Sequence, residues 1–109
     1  AYLNVESLDD EAKGRTFVLQ SEGELSYAID REAEAQAGLD ELVTLALDTL
    51  AGENNAPFVL VIHEALLGKA LAAKDSPAVV EQYHLLDTIV DELLNRQEEN
   101  PELAVALIA

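Results

Sequence analysis

From position 79 onward the apolar residues fall into step. Val79, Tyr83, Leu86, Val90 and Leu93 recur at 4-3-4-3 spacing, which gathers onto one face only if the backbone is α-helical. Val80, Ile89 and Leu94 flank that face. Ser76-Pro77 supplies a cap followed by a proline suited to a first helical turn. The spacing therefore predicts an amphipathic helix over 77–97, too short to establish an extended coiled coil.

Two further helical segments precede it. Leu25, Ile29, Leu39, Leu42, Val43, Ala46, Leu47 and Leu50 share one helical face. This stripe keeps its phase across Gly38, predicting one helix over 22–51 that ends at Gly52. Phe58-Val59-Leu60-Val61-Ile62 reads as a buried strand or as part of a helix. Asn55 with Pro57 is a helix start, and no turn signal separates the apolar run from the helical Ala65 to Ala73 stretch. A helix over 57–74 is expected, central and covered by its neighbours, with Ala65, Gly68 and Ala72 forming a small-residue face. A strand at 58–62 would make the domain α+β instead. Asn100-Pro101 opens a short final helix over 101–109, whose apolar Leu103 to Ala109 stretch docks on the bundle or makes a subunit contact.

Residues 1–20 read as an extended or hairpin arm. Tyr2, Leu3 and Val5 precede the acidic turn Asp9-Asp10-Glu11, and Thr16-Phe17-Val18-Leu19 has strand character. The expected fold is thus mostly α, one domain over 1–109. It is a small bundle of three principal helices (22–51, 57–74, 77–97), with an extended N-terminal region and a short C-terminal helix.

Charge decides which functions remain open. The chain carries 22 Asp and Glu against 6 Lys and Arg, a net charge of −16. That excludes direct nucleic-acid binding by phosphate neutralisation and adhesion to membranes through a polybasic patch. No cysteine is present, so disulfide frameworks and thiolate chemistry are excluded too. No apolar run reaches the roughly 18 residues of a membrane span. The first residues show no basic and apolar leader pattern, so a cytoplasmic location is expected.

The carboxylates are unevenly spread. Residues 1–41 hold 11 acids and 3 bases, 42–80 hold 4 and 2, and 81–109 hold 7 and 1. On a helix over 22–51, Asp30, Glu34, Glu41 and Asp48 would form a narrow band opposite the apolar stripe, spanning ~27 Å along the axis. Asp87 and Asp91 sit one turn apart on the later helix, near His84. Solubility of a small domain needs a net charge of only ~2–8, and like charges one turn apart cost stability. A solvated face with few bases is one explanation of the excess. The sharper one is a basic partner protein, with these six carboxylates as its contacts.

In size and charge the chain resembles the nucleic-acid mimics, which include viral inhibitors of bacterial restriction and of CRISPR defence. That resemblance is compositional and rests on no motif. It implies an inhibitor or regulator that masks the basic surface of a nucleic-acid-handling protein.

Motifs for chemistry are sparse. His63-Glu64 opens a zinc-protease-like element, but position 67 is Leu where the second His belongs. His63 is expected in the core or an interface. Glu81 and His84 form one Glu-x-x-His element, where a di-iron bundle needs two. A two-fold dimer would supply the second, with Glu64 or Glu41 adding carboxylates. Both residues nevertheless lie off the apolar stripe, and local pairing of His84 with Asp87 or Thr88 is the expected role. No nucleophile motif or phosphate-binding glycine loop is present. The expectation is a protein without catalytic residues, metal or cofactor. A homodimeric scaffold joined through the 65–72 face and the 103–109 tail is the alternative.

Overall fold

The computed structural model describes residues 23–32, 36–52 and 56–108. The expected N-terminal arm over 1–20 lies outside these. Helix makes up 59% of the described residues, with no strand among them. Three α-helices carry the fold: α1 (Leu39–Ala51), α2 (Leu66–Ala72) and α3 (Ser76–Glu99). A 3-10 turn, Ala28–Asp30, precedes them.

The core is small. Val43 and Leu47 of α1 meet Ile89 of α3, and Leu39, Phe58, Leu60, Ile62, Leu85 and Leu93 close around them. At one end Leu39 and Leu85 line a common cavity. Further along, Asp48 meets Arg96 at 2.8 Å. So α1 and the C-terminal half of α3 run in the same direction, and the segment between α1 and α2 must return along them.

That return is extended, not helical. Over 58–65 burial alternates residue by residue: Phe58, Leu60, Ile62 and Glu64 are half-buried, while Val59, Val61, His63 and Ala65 are exposed. The expected helix over 57–74 therefore shrinks to Leu66–Ala72. A pleat sends one row of this β-branched and aromatic run into the core; a helix would have had to bury all sides. No turn is needed before α2, because the Glu64 carboxylate accepts from the Leu66 and Leu67 N–H groups at 2.8 and 2.9 Å. The backbone of 56–63 makes no hydrogen bond, so the segment is strand-like without belonging to a sheet.

The predicted helix over 22–51 also shortens, starting at Leu39. Upstream, side-chain amides intercept the backbone: Gln36 Oε1 accepts from Ser26 N–H, and Gln82 Oε1 accepts from Ala28 N–H. Such side-chain bonds compete directly with helical ones. Leu25 and Ile29 are 36% and 48% exposed, so the apolar stripe gains little burial there. Gly38, expected inside the helix, is its N-cap.

On α3 the apolar face is rotated by one residue from the expected register. Ala78, Gln82 and Ile89 are buried, with Leu85 and Leu93 against the core, whereas Tyr83 is 62% exposed. The spacing Ala78, Gln82, Leu85, Ile89 is the same 4-3-4 pattern, hidden because its second member is polar. Asp75, one residue before Ser76, caps the helix by accepting from Ala78 N–H at 3.2 Å. The expected helix over 101–109 is not formed. Asn100 instead folds the chain into a turn, its Oδ1 accepting from Glu102 N–H and its carbonyl from Leu103 N–H. Seven residues cannot hold a helix without packing, and here Leu107 and Ile108 stay exposed.

Between α2 and α3 the chain closes a Schellman motif: Lys74 N–H donates to Leu71 O, and Asp75 N–H donates to Ala70 O, both at 3.1 Å. Lys74 holds the left-handed position, with φ 56°. Its Cβ costs about 1 kcal/mol there. Lys74→Gly is expected to raise stability by about that amount, read as a higher urea midpoint at unchanged slope. The buried Gln82 joins the 3-10 turn to α3 and donates to Glu64 at 3.0 Å. Gln82→Ala should lower stability by about 1–3 kcal/mol, since Ala28 N–H is left without its acceptor; an unchanged urea midpoint would contradict that role.

Candidate interaction site: the acidic groove between α1 and α3

Where α1 lies along α3, their outer edges enclose a groove of about 310 Å³. Val43 and Ile89, both core residues, form its floor. Four carboxylates line it: Asp40 and Glu41 from the first turn of α1, and Asp91 and Glu92 from α3. Local sequence explains the α1 pair. Acids in a first helical turn face the positive end of the helix dipole, and Glu41 Oε1 reaches back to Gly38 N–H at 3.5 Å. Glycine has no side chain to return the bond, so only half of a capping box forms. Asp40 Oδ1 is buried and has no hydrogen-bond partner.

One cation stands at the end of the groove. Arg96 donates through Nε to Glu92 and through Nη2 to Asp48, each at 2.8 Å. These two hydrogen bonds, Glu92 first, raise the Arg96 pKa above its ordinary value, against a smaller lowering by partial burial. A raised pKa means the contribution is complete below the ordinary value and lost only as pH climbs through the higher one. Arg96 therefore stays charged in any buffer short of strong alkali.

The six expected contact residues are divided by this arrangement. Glu41 and Asp91 come together in the groove. Asp48 is exposed but engaged by Arg96. Asp87 is exposed on α3 outside the groove lining. Asp30 ends the 3-10 turn, exposed and off α1, and Glu34 lies outside the described residues. The single acidic rod from 30 to 48 is thus not formed, because α1 begins at Leu39. Asp40 and Glu92 do not stand out on a single-helix projection, because the groove joins two helices. The i,i+4 pair Glu92 and Arg96 was the available signal.

Other expected positions also move. His63 is exposed, on the outer row of the extended segment, so of the two places expected for it the core is not taken. Glu81 and His84 are exposed on α3; Thr88 Oγ1 donates to the His84 backbone carbonyl at 3.0 Å, not to its ring. Among the described residues, no three or more His, Asp or Glu side chains are grouped to hold a metal ion. None of the described helices is long and apolar enough to cross a membrane. Comparisons with known families, characterised proteins and solved structures find no match to this chain.

Arg96 neutralises the groove's own repulsion at one end. Arg96→Ala should destabilise the fold by up to about 1 kcal/mol at low salt. The loss should shrink in 1 M salt, where exposed charges are screened over a few ångströms. Urea midpoints at the two salt concentrations check this.

Proposed function

We propose that this is a non-catalytic acidic interaction protein. It binds and masks a basic surface of a partner protein, an inhibitor or regulator of nucleic-acid-handling machinery in the manner of viral anti-defence mimics. The observation that carries the reading is the convergence of Asp40, Glu41, Asp91 and Glu92 on one groove from two helices. A field focused this way by a chain of net charge −16 accelerates encounter with a cationic surface and favours it over neutral ones. Paired carboxylates suit the fork geometry of arginine. Asp48 and Asp87 extend the negative surface beyond the groove, and Asp30 adds charge at the 3-10 turn.

A pull-down from the source cell at two salt concentrations, with mass spectrometry, identifies the partner. Binding should weaken steeply from low to high salt. Charge reversal by Glu41→Lys with Asp91→Lys should weaken that partner at least tenfold, mainly through a slower association rate. Reversal at Glu81, exposed on α3, should have a much smaller effect. Unchanged affinity in the groove double variant overturns the reading.

A homodimeric scaffold is the second reading, favoured by bare apolar surface. Val59 and Val61 are 88% and 83% exposed beside an unpaired backbone, and Ile108 is 90% exposed. Ala65, Gly68 and Ala72 also face outward. Salt acts here with the opposite sign, because screening relieves repulsion between two copies of charge −16. Sedimentation in the micromolar range separates the readings: a monomer at both low and high salt removes the dimer.

A further inference from the structure

On the other side of Gly38 from the acidic groove lies a second concavity, of about 280 Å³. Leu25, Leu39, Leu66 and Leu85 supply its apolar walls. The buried Gln82 is fixed there by its bonds to Ala28 and Glu64. Arg31, half-buried, brings a guanidinium to the same space.

That guanidinium is out of keeping with the chain. With 22 carboxylates to 6 bases, a partly buried arginine is expected to be paired. Lys69 pairs with Glu24, and Arg96 pairs with Asp48 and Glu92. Among the described residues Arg31 makes no ion pair and no hydrogen bond. The carboxylates that share its cavity are spent: Glu24 on Lys69, and Glu64 on Leu66 N–H, Leu67 N–H and Gln82. Asp40 stands across Gly38. A Cβ on that glycine would lie 2.2 Å from Asp40 Oδ1 and 2.6 Å from Arg31 Nη1, yet the two groups do not bond. Donors left without hydrogen bonds in a half-buried place are costly, and a guanidinium presents a fixed fork of donors to a planar anion.

We propose that this cavity is a binding site for a small aliphatic carboxylate, whose anion pairs with Arg31 and whose hydrocarbon body lies against Leu25, Leu39, Leu66 and Leu85. The size sets the class: ligand pockets run from roughly 300 to 1,000 Å³, so this one takes a short chain and not a drug-sized or polycyclic molecule. The inference stands independently of the acidic groove, whose carboxylates repel the same ligand.

Hexanoate is the probe, with hexanol and hexylammonium as controls of matched body and different head. Titration into the full chain is followed by calorimetry and by amide chemical shifts. Hexanoate should bind at least tenfold tighter than either control, with the largest shifts at Leu25, Leu39 and Gln82. Arg31→Gln should weaken it at least tenfold, whereas Lys74→Gln, which removes the same charge at an exposed position, should not. Asp40→Asn, which removes the carboxylate across Gly38, should leave hexanoate affinity equal or higher. Unfolding midpoints of each variant, with and without hexanoate, separate loss of the site from loss of fold, since a ligand that binds the native state raises the midpoint. Equal binding of hexanol, wild-type affinity in Arg31→Gln, or no binding at millimolar hexanoate each overturns the proposal.

Discussion

Gln82 ties together three separate parts of the chain through hydrogen bonds. Its side chain is 1% exposed. Its carbonyl accepts from Ala28 N–H in the 3-10 turn, and its amide donates to Glu64, which in turn caps α2. One neutral side chain thus fixes the segment before α1, the end of the extended run and the N-terminal third of α3. A buried amide is costly unless satisfied; here both its oxygen and its nitrogen are used. An apolar residue at 82 would pack but would leave Ala28 N–H without this acceptor. The register of α3 follows from this, since turning Gln82 inward turns Tyr83 out.

The helices and the core were only partly legible in the sequence, for the same reason. α3 was readable because proline, cap and apolar period agree. Its buried face was not, because Gln82, a polar residue, occupies one of the inward positions of an otherwise apolar period. The α1 stripe was real at Leu39, Val43 and Leu47, but its extension to Leu25 and Ile29 matched angle without matching burial. Residues 58–62 were ambiguous by nature: a continuous apolar run carries both periods, and only the tertiary need for one inward row decides. The missing turn before α2 misled, because a single glutamate side chain can start a helix directly from extended backbone. Of the acidic site, Glu41 and Asp91 were legible as exposed carboxylates. Their meeting in one groove depends on which residues of α1 face α3, which no single-helix projection contains.

The same packing accounts for how the fold tolerates its charge. Residues 56–63, which hold no carboxylate, cross the core as the extended return, where Phe58, Leu60 and Ile62 are needed. α1 and α3 together carry 9 of the 22 acids, kept off the apolar core that Val43, Leu47 and Ile89 form between them. Where the two helices bring four carboxylates together, Arg96 is placed at the end, bridging Glu92 to Asp48. The bridge spans both helices, so it relieves repulsion and fixes their spacing in one contact.

Gly38 then divides the molecule chemically. On one side α1 opens into the groove with Asp40 and Glu41; on the other lies the leucine-walled cavity with Arg31. A side chain at 38 would strike both Asp40 and Arg31 at under 3 Å, so the absence of a Cβ lets a buried carboxylate oxygen and a guanidinium approach the same point of the backbone. Were they to bond, each concavity would lose its charged group: the groove an anion, the cavity its cation. Kept apart, they leave the groove an anion and the leucine-walled cavity a guanidinium unpaired among the described residues, one on each side of Gly38.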